Sequence, residues 1–377
     1  MDQHYQFSAP GRTEIGGNHT DHQHGCVLAA AINLETVADV TLNGTDKIFV
    51  QSEGYPSFYV DLTDLKVHED EVNTTAGLVR GVVAAFVERG AKVQGFDMIV
   101  SSNVLPGSGL SSSAAFEVLV GTILNDLFFD QKLSPIEIAQ IGQYAENVYF
   151  GKPCGLMDQM ASSVGGMVYI DFANPENPTV EKINYDFQKA GYDLCIIDSG
   201  ADHADLTDEY AAITRELKEL CGFFGKGYLR QIPEDVFMAA LPKLRETISD
   251  RAILRAMHVY RENERVNAQA VALKTNDIDT FLRLVTESGH SSWMYMQNIC
   301  PVGFVQKQPV AFALALCDCL LRGKGAYRVH GGGFAGTVQA FVPHHMLDGF
   351  KKAVEASLGQ GTCHVLNVRA SGGIRKR

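Results

Sequence analysis

The segment "LPGSGLSSSAA", residues 105 to 115, joins an apolar strand-like stretch to an apolar helix-like stretch through a turn rich in glycine and serine. The pattern predicts a helix whose first turn carries Ser111, Ser112 and Ser113. Free backbone N–H groups and the helix dipole at such a start favour a phosphate, and serine hydroxyls can ligate Mg²⁺. The segment lacks the lysine of a Walker A loop. Taken alone, it fits an ordinary serine-capped helix equally well.

Strand-like and helix-like segments alternate around this turn as far as about residue 200. Residues 24–62 and 95–104 have the composition of strands, and 74–90 and 134–151 have helical spacing. Beyond that point helical segments dominate, at 206–222, 234–248, 250–273 and 276–288. The fold class is therefore α/β (α+β), with a domain boundary between 175 and 200 and a last strand that is free to return to either domain.

The composition excludes several classes of function. The 377 residues are 46% apolar, which is enough for two cores, and 32 basic against 44 acidic residues give a net charge of −12. An acidic chain without basic blocks argues against nucleic acid and membranes as partners. A phosphorylated ligand must then be bound locally, by loops and helix ends.

The cysteines and the N-terminal residues predict a cytoplasmic protein. Eight cysteines are scattered without a C-x-x-C pair, as expected of reduced thiols. No signal pattern is present at the N-terminus, and no apolar run approaches ~20 residues.

Two further segments are candidates for ligand or metal binding. In "VHGGGFAGTVQAF" (329–341), Gly331, Gly332 and Gly333 precede a strand, which indicates either a close approach to a ligand or a tight hairpin. In "GGNHTDHQHG" (16–25) the question is whether His19, His22 and His24 form a metal site. Their spacing is poor for one helical face and no distant Cys/His pair completes a set, so we expect no tightly held zinc.

Three charged residues are candidates for chemistry. Asp158 follows the turn "PCG" and is placed either to accept a proton from a hydroxyl nucleophile or to cap a short helix. Arg12 would stabilise charge on a phosphoryl group if it is not an ordinary surface arginine. Glu146 is either a metal ligand or part of a solvated helix face.

Together these segments resemble the galactokinase family of the GHMP kinase superfamily. The resemblance rests on three ordered motifs, "PGRTEIGGNHTDHQHG", "LPGSGLSSSAA" and "VHGGGFAG", and on four shorter segments, "VRGV", "AENVYFGKPCGLMDQ", "DSGADHADLTDEY" and "HVYRENERV". It extends over nearly the whole chain.

The resemblance implies a two-domain GHMP kinase fold with the active site in the interdomain cleft. The N-terminal kinase domain would span residues 1–190 and a ferredoxin-like domain would span 191–377. The implied reaction transfers the γ-phosphoryl group of ATP, with Mg²⁺, to the anomeric 1-hydroxyl of galactose. The implied partners are a small sugar and ATP, and the expected assembly is a monomer or a weak homo-oligomer.

The resemblance also implies roles for individual residues. Asp158 would be the catalytic aspartate and Arg12 would stabilise the transferred charge, while Ser113 and Glu146 would hold Mg²⁺. The sugar would contact Asn18, His19, Asp21, Gly155 and Tyr210. The nucleotide would contact Pro106, Gly107, Ser108, Gly109, Leu110, Ser111, Ser112, Ser113, Gly331, Gly332 and Gly333.

Several positions depart from the family pattern. Asn18 stands where the family usually has the glutamate that pairs with the sugar's 6-hydroxyl, His22 replaces a tyrosine, His330 a threonine and Ala335 a glycine. Because Asn18 lacks the charge that would repel a carboxylate, a galacturonate kinase is one alternative. A non-catalytic galactose sensor is another, although it would have no need of Arg12 and Asp158.

Overall fold

The computed structural model describes residues 4–105, 109–200 and 206–376, with Thr207 described by its backbone alone. Its strands are β1 His4–Gly16, β2 Cys26–Leu42, β3 Lys47–Ser52, β4 Phe58–Asp61, β5 Phe96–Ser102, β6 Met167–Asp171, β7 Thr179–Ile183, β8 Tyr192–Asp198, β9 Ala326–His330, β10 Thr337–Pro343, β11 Cys363–Leu366 and β12 Ile374–Arg375. Its helices are α1 Thr75–Glu88, α2 Ser112–Phe128, α3 Pro135–Tyr144, α4 Met157–Val164, α5 Thr207–Phe223, α6 Glu234–Thr247, α7 Asp250–Lys274, α8 Ile278–Ser291, α9 Pro309–Leu321 and α10 Leu347–Leu358. The predicted α/β class is confirmed.

The larger sheet runs in the order β12-β1-β2-β5-β3-β4, and β6 and β7 extend it from β2. Only β3 and β5 pair in parallel among these described strands. Phe7, Phe86, Phe96 and Leu119 are fully buried where helices α1 and α2 cover this sheet. Burying such large side chains is the main stabilising contribution to this layer.

The smaller sheet is antiparallel in the order β11-β8-β10-β9. A single apolar cluster joins the two sheets, since Ile15 and Leu28 of the larger sheet are buried in it with Phe281 and Phe341. Helix α7 packs against β1 and β2 of the larger sheet. The two sheets therefore hold the first motif, "PGRTEIGGNHTDHQHG" (residues 10–25), and the third, "VHGGGFAG" (residues 329–336), in fixed positions relative to each other.

The sequence pattern located most helices within a few residues, but it missed two features near the site. Strand β1 includes "APGRTEI", for which the sequence pattern predicts no strand. The helix expected over 134–151 changes after Tyr144 into a π-helix, Ala145–Phe150. Such wider turns are frequently found at functional sites. No helix in the described ranges is long and apolar enough to cross a membrane.

Candidate active site

Helix α2 begins within the motif "LPGSGLSSSAA" (residues 105–115, the phosphate loop) as predicted, but one residue later than expected. Ser111 precedes the helix with a left-handed backbone, φ +57°, and its hydroxyl donates to Asp158 instead of capping α2. The expectation that Ser111 belongs to the first helical turn is therefore wrong. Ser112 and Ser113 open the helix, whereas Pro106, Gly107 and Ser108 lie outside the described residues.

Arg12 and Asp158 form a two-pronged ion pair at the centre of the site. The Arg12 Nε and Nη2 atoms donate to the two Asp158 carboxylate oxygens at 2.7 and 2.8 Å. A third donor of the guanidinium, Nη1, bonds the carbonyl of Gly109, and the Arg12 backbone N–H bonds that of Leu110 at 3.0 Å. Such fork-shaped pairing fixes both position and orientation. Strand β1 and the phosphate loop are thereby tied to α4, which carries Asp158.

The pair keeps Asp158 ionised. Desolvation by burial would raise the pKa of Asp158, but the Arg12 guanidinium and the Ser111 hydroxyl lower it below its usual value. The Asp158 side chain still has 32% of its surface exposed, against 7% for Arg12. An anionic carboxylate is thus presented to solvent on one side while it is anchored on the other.

Glu146 lies on the π-helix and is buried, with one oxygen accepting from the Gln159 side chain at 2.9 Å. The same amide nitrogen donates to Glu117 at 3.0 Å. Burial and the neighbouring Glu146 raise the pKa of Glu117 well above the usual range. The second oxygen of Glu146 has the Lys152 ammonium at 3.8 Å. Glu146 is therefore not on a solvated helix face.

These groups surround a cleft of about 310 Å³. Its lining includes the predicted residues Asp21, Gly109, Leu110, Ser111, Ser112, Ser113, Glu146, Gly155 and Asp158, and also Leu105, Lys152, Cys154 and Gln159. All of them precede residue 190, so the N-terminal region supplies the cleft wall. Ser112 and Ser113 at the start of α2 thus line the same space as Asp158.

Asp21 and Gly155 bring the first motif to the edge of this cleft. Asp21 opens a short 3-10 helix, Asp21–Gln23, after strand β1. A side chain at position 155 would collide with the Asp21 carboxylate, so glycine is what allows the "PCG" turn to approach the first motif. The two predicted sugar contacts are therefore adjacent to each other and to the segment that carries Asp158.

Asn18 lies deeper, only 1% exposed, in a polar network. Its amide nitrogen donates to the Gly331 carbonyl at 2.6 Å and to Glu14 at 3.3 Å, and its amide oxygen accepts from Asn298 at 2.9 Å. Glu14 is in turn paired with the buried Arg328. The predicted contact of Asn18 with the sugar stays a prediction, because both ends of the side chain are engaged with the protein.

The three histidines of this loop have separate roles. His19 Nε2 donates to the Gly332 carbonyl at 3.0 Å, so its Nδ1 is free to accept from His22 at 3.3 Å. Burial lowers the pKa of His19 to about 3 and also lowers that of His22. His24 instead stacks on Tyr228, with ring centroids 3.6 Å apart. No group of three acidic, histidine or cysteine residues suited to a metal occurs in the part of the chain that the structure describes.

The third glycine-rich motif packs on the first one. Besides accepting from Asn18 and His19, this loop accepts at the Gly333 carbonyl from the Tyr210 hydroxyl, at 2.7 Å. A side chain at Gly332 would meet the Tyr210 ring at 2.7 Å. The three glycines thus contact residues that are predicted to bind the sugar, namely Asn18, His19 and Tyr210. The contact of Gly331, Gly332 and Gly333 with the nucleotide stays a prediction.

Comparison with known proteins decides the family. Residues 77–166 match the GHMP kinases N terminal domain, and residues 2–41 match the galactokinase galactose-binding signature. A galactokinase of Haemophilus influenzae is 33% identical over 350 residues, which cover 92% of this chain and 87% of that protein. The chain belongs to the galactokinase family. It is an enzyme of the sugar kinase type, and no observation on Arg12 or Asp158 favours a sensor.

Solved structures agree with the fold. Lactococcus lactis galactokinase complexed with galactose has a TM-score of 0.82 at 26% identity, covering 99% of this chain and 95% of that chain. A mevalonate kinase has a TM-score of 0.68 at 14% identity, covering 97% and 99%. The second likeness concerns the fold alone.

Two buried residues of α7, Glu262 and His258, hold the loop that follows β1 in place. The sequence pattern predicts no role for either of them. Glu262 accepts from the backbone N–H groups of Gly17 and Asn18 at 3.2 and 3.4 Å. His258 Nε2 donates to the Asn18 carbonyl at 3.0 Å. Both lie in the segment "HVYRENERV", which marked the family resemblance, but its helical spacing carried no information about a partner so distant in sequence.

His330 provides a third support. Its Nε2 must accept, because the Glu14 backbone N–H donates to it at 3.2 Å, and its Nδ1 then donates to Thr337 at 2.9 Å. Burial lowers the pKa of His330 well below the usual imidazole value, so the ring is neutral. His330 thus links β1 directly to β9.

Proposed function

We propose that this galactokinase family member transfers the γ-phosphoryl group of ATP to the anomeric 1-hydroxyl of galactose, giving galactose 1-phosphate and ADP. One observation carries the proposal. The Asp158 carboxylate, held ionised by Arg12, faces a cleft that also contains the N-terminus of α2 and the Asp21–Gly155 contact. A sugar hydroxyl at Asp158 and a phosphate at α2 would therefore be neighbours.

In this proposal Asp158 mainly orients the hydroxyl. A carboxylate whose pKa is lowered is a weak base, but it accepts a hydrogen bond well. Phosphoryl transfer proceeds through a loose transition state, so positioning and charge neutralisation contribute more than early proton removal. As the new O–P bond forms, the bond between the γ-phosphorus and the bridging oxygen breaks and ADP leaves with that oxygen. The hydroxyl proton passes to Asp158, and Arg12 neutralises charge on the reacting groups.

The donor set of the cleft fits a magnesium ion. Ser113 and Glu146 line the same cleft, with one Glu146 oxygen 3.8 Å from the Lys152 ammonium and the other accepting from Gln159. Mg²⁺ commonly takes one or two protein oxygens and completes its shell with water and substrate phosphates. A bound ion would neutralise phosphate charge, and Ser113 and Glu146 would hold it.

The sugar is the part of the proposal that departs most from the family pattern. Galacturonate remains the second candidate because Asn18 is uncharged, but two observations weaken it. The lowered pKa of His22 leaves that ring neutral at pH 7, and the Glu14 carboxylate lies 3.3 Å from the Asn18 amide. A second carboxylate at this position would have no free cation beside it among the described residues that contact Asn18.

A coupled assay of ADP release with galactose, galacturonate, N-acetylgalactosamine and glucose tests the proposal. We expect the highest kcat/KM with galactose. A preference for galacturonate would replace the sugar in the proposal, and absence of turnover with every sugar would overturn the activity itself. Omission of Mg²⁺ in the same assay should abolish turnover.

We also propose a cytoplasmic location and a monomer or a weak homo-oligomer. The eight cysteines are all unpaired, which suits a reducing compartment. Sedimentation of the purified protein at micromolar concentration tests the assembly.

A further inference from the structure

The charges that line the cleft do not suit a triphosphate without a further cation. Three carboxylates, those of Asp21, Glu146 and Asp158, line it. Among the described lining residues, Lys152 alone carries a positive side chain. ATP brings several negative charges into this space, and like charges in a cleft repel strongly because the surrounding protein has a low dielectric constant. A bound Mg²⁺ would offset part of this repulsion, and a cationic side chain of the cleft would offset more of it.

Arg12 cannot supply all of the missing charge. Three of its nitrogen atoms are engaged with Asp158 and with the Gly109 carbonyl, and its side chain is 7% exposed. Its positive charge is largely balanced by Asp158. The N-terminus of α2 contributes only about half an elementary charge. The phosphate loop also lacks the lysine that a Walker A motif would supply.

Lys152 is placed to act on the phosphates. It follows Gly151, whose φ of +83° turns the chain out of the π-helix, and the Lys152 backbone N–H donates to the Glu146 carbonyl at 3.1 Å. The loop that starts there leads directly to Asp158. The backbone at the base of Lys152 is therefore anchored between the predicted metal ligand and the predicted catalytic aspartate.

The ammonium group itself remains available. Its distance of 3.8 Å from Glu146 is too long for a hydrogen bond, and the Lys152 side chain is 65% exposed while that of Glu146 is 6% exposed. The same positive charge contributes to the low pKa of Asp158. A flexible four-carbon stem with a compact charge is suited to phosphate binding.

We propose that Lys152 binds the terminal phosphate of the nucleotide in the cleft between α2 and the π-helix. The proposal rests on the proposed ATP-dependent activity and adds a specific phosphate contact to it. Lys152 would take the part that a Walker A lysine takes elsewhere, from the opposite wall of the cleft. It would also select ATP over ADP, because the terminal phosphate distinguishes the two nucleotides.

Calorimetric titration of full-length Lys152→Met and Lys152→Arg with AMP-PNP and with ADP tests the proposal. Each titration is done in EDTA and again in Mg²⁺. Loss of a charge-assisted contact should weaken AMP-PNP binding by about 10-fold and ADP binding by less than about twofold. Lys152→Arg should recover most of the affinity. Lys226→Met, which removes one charge from an exposed turn after α5, is the matched control and should bind as the parent does.

The outcomes separate this inference from the proposed function. Equal weakening of AMP-PNP and ADP, unchanged binding of both, or an effect seen only in Mg²⁺ would each overturn the role of Lys152 while leaving the kinase proposal standing. Failure of the parent protein to bind either nucleotide would overturn the proposed function as well.

Discussion

The phosphate side and the sugar side of the site are built in opposite ways. Around α2 and Asp158, groups face a cleft and several of their polar atoms remain available to a ligand. Around Asn18 and His19, nearly every polar atom is already paired with the protein, and the closest partners come from α7 and the third glycine loop. The first region is arranged to receive charge, and the second is arranged to hold a loop in one conformation.

The contrast teaches where substitutions should act. A change on the phosphate side should impair turnover and leave the fold intact. A change in the buried network should lower the free energy of unfolding and impair sugar binding as a consequence. Each of the following predictions tests one side of this distinction.

The largest effect is expected at Asp158. Asp158→Ala should lower kcat by about 10²–10⁴-fold, the range typical of a lost proton acceptor, and should leave galactose binding largely intact. Turnover is measured in the coupled assay and binding by calorimetry. Asp158→Asn, which keeps the shape, serves as the control and should be similarly slow. Near-normal turnover in a folded Asp158→Ala protein would refute the assigned role.

On the other side, Glu262→Gln should destabilise the fold with little direct effect on chemistry. Glu262 is fully buried, and removing one partner of a buried charged network costs about 3 kcal/mol or more. Glu264→Gln, on an exposed face of the same helix, is the matched control and should be near neutral. Urea denaturation at pH 7 measures the difference.

The same pair gives a pH test. Desolvation raises the pKa of Glu262, but Arg265 and His258 more than offset it and lower the pKa to about 2, against an ordinary value of 4.5. A lowered folded-state pKa stabilises the fold above pH 4.5, and this contribution is lost as the pH falls towards 2. The stability difference between parent and Glu262→Gln should therefore shrink over this window. A difference that stays constant with pH would contradict the charged role.

Whether a residue of the site could be predicted from the sequence depends on how far along the chain its interaction partners lie. Arg12 and Asp158 were located because each lies in a short motif whose chemistry is readable locally. Glu262 was missed because its partner Gly17 is 245 positions away and helical spacing does not report such contacts. The π-helix after Tyr144 was missed because apolar spacing barely distinguishes a wider turn from a regular one.

Ser111 offers a smaller effect on the phosphate side. Ser111→Ala removes a hydroxyl that donates to the Asp158 carboxylate, so the pKa of Asp158 should rise and the acid limb of kcat/KM should move to higher pH. A hydrogen bond to a charged group contributes about 1.5–3 kcal/mol, so kcat/KM should fall by more than about 10-fold. Ser111→Gly removes the same hydroxyl and relieves the strain of the positive φ. A pH profile unchanged in both variants would contradict the contact.

The smallest effect is expected at Tyr210. Tyr210→Phe removes the hydrogen bond to the Gly333 carbonyl. The free energy of sugar binding should become less favourable by about 1 kcal/mol. This loss corresponds to an approximately 5-fold higher KM for the sugar at unchanged kcat. Tyr55→Phe, at a position 67% exposed, is the control. A large loss of kcat in Tyr210→Phe would show that Tyr210 acts on the reaction itself and belongs with the phosphate side.

The short strand β12 has a consequence for how the chain folds as it is made. Ile374 and Arg375 pair with Ser8 and Phe7 of β1, and a side chain at Gly373 would collide with Thr122 of α2. During synthesis, the edge of β1 beside Phe7 and Ser8 therefore stays unpaired until β12 has left the ribosome. A strand that is made early is thus paired late, and until β12 is made its open edge is exposed to other nascent chains.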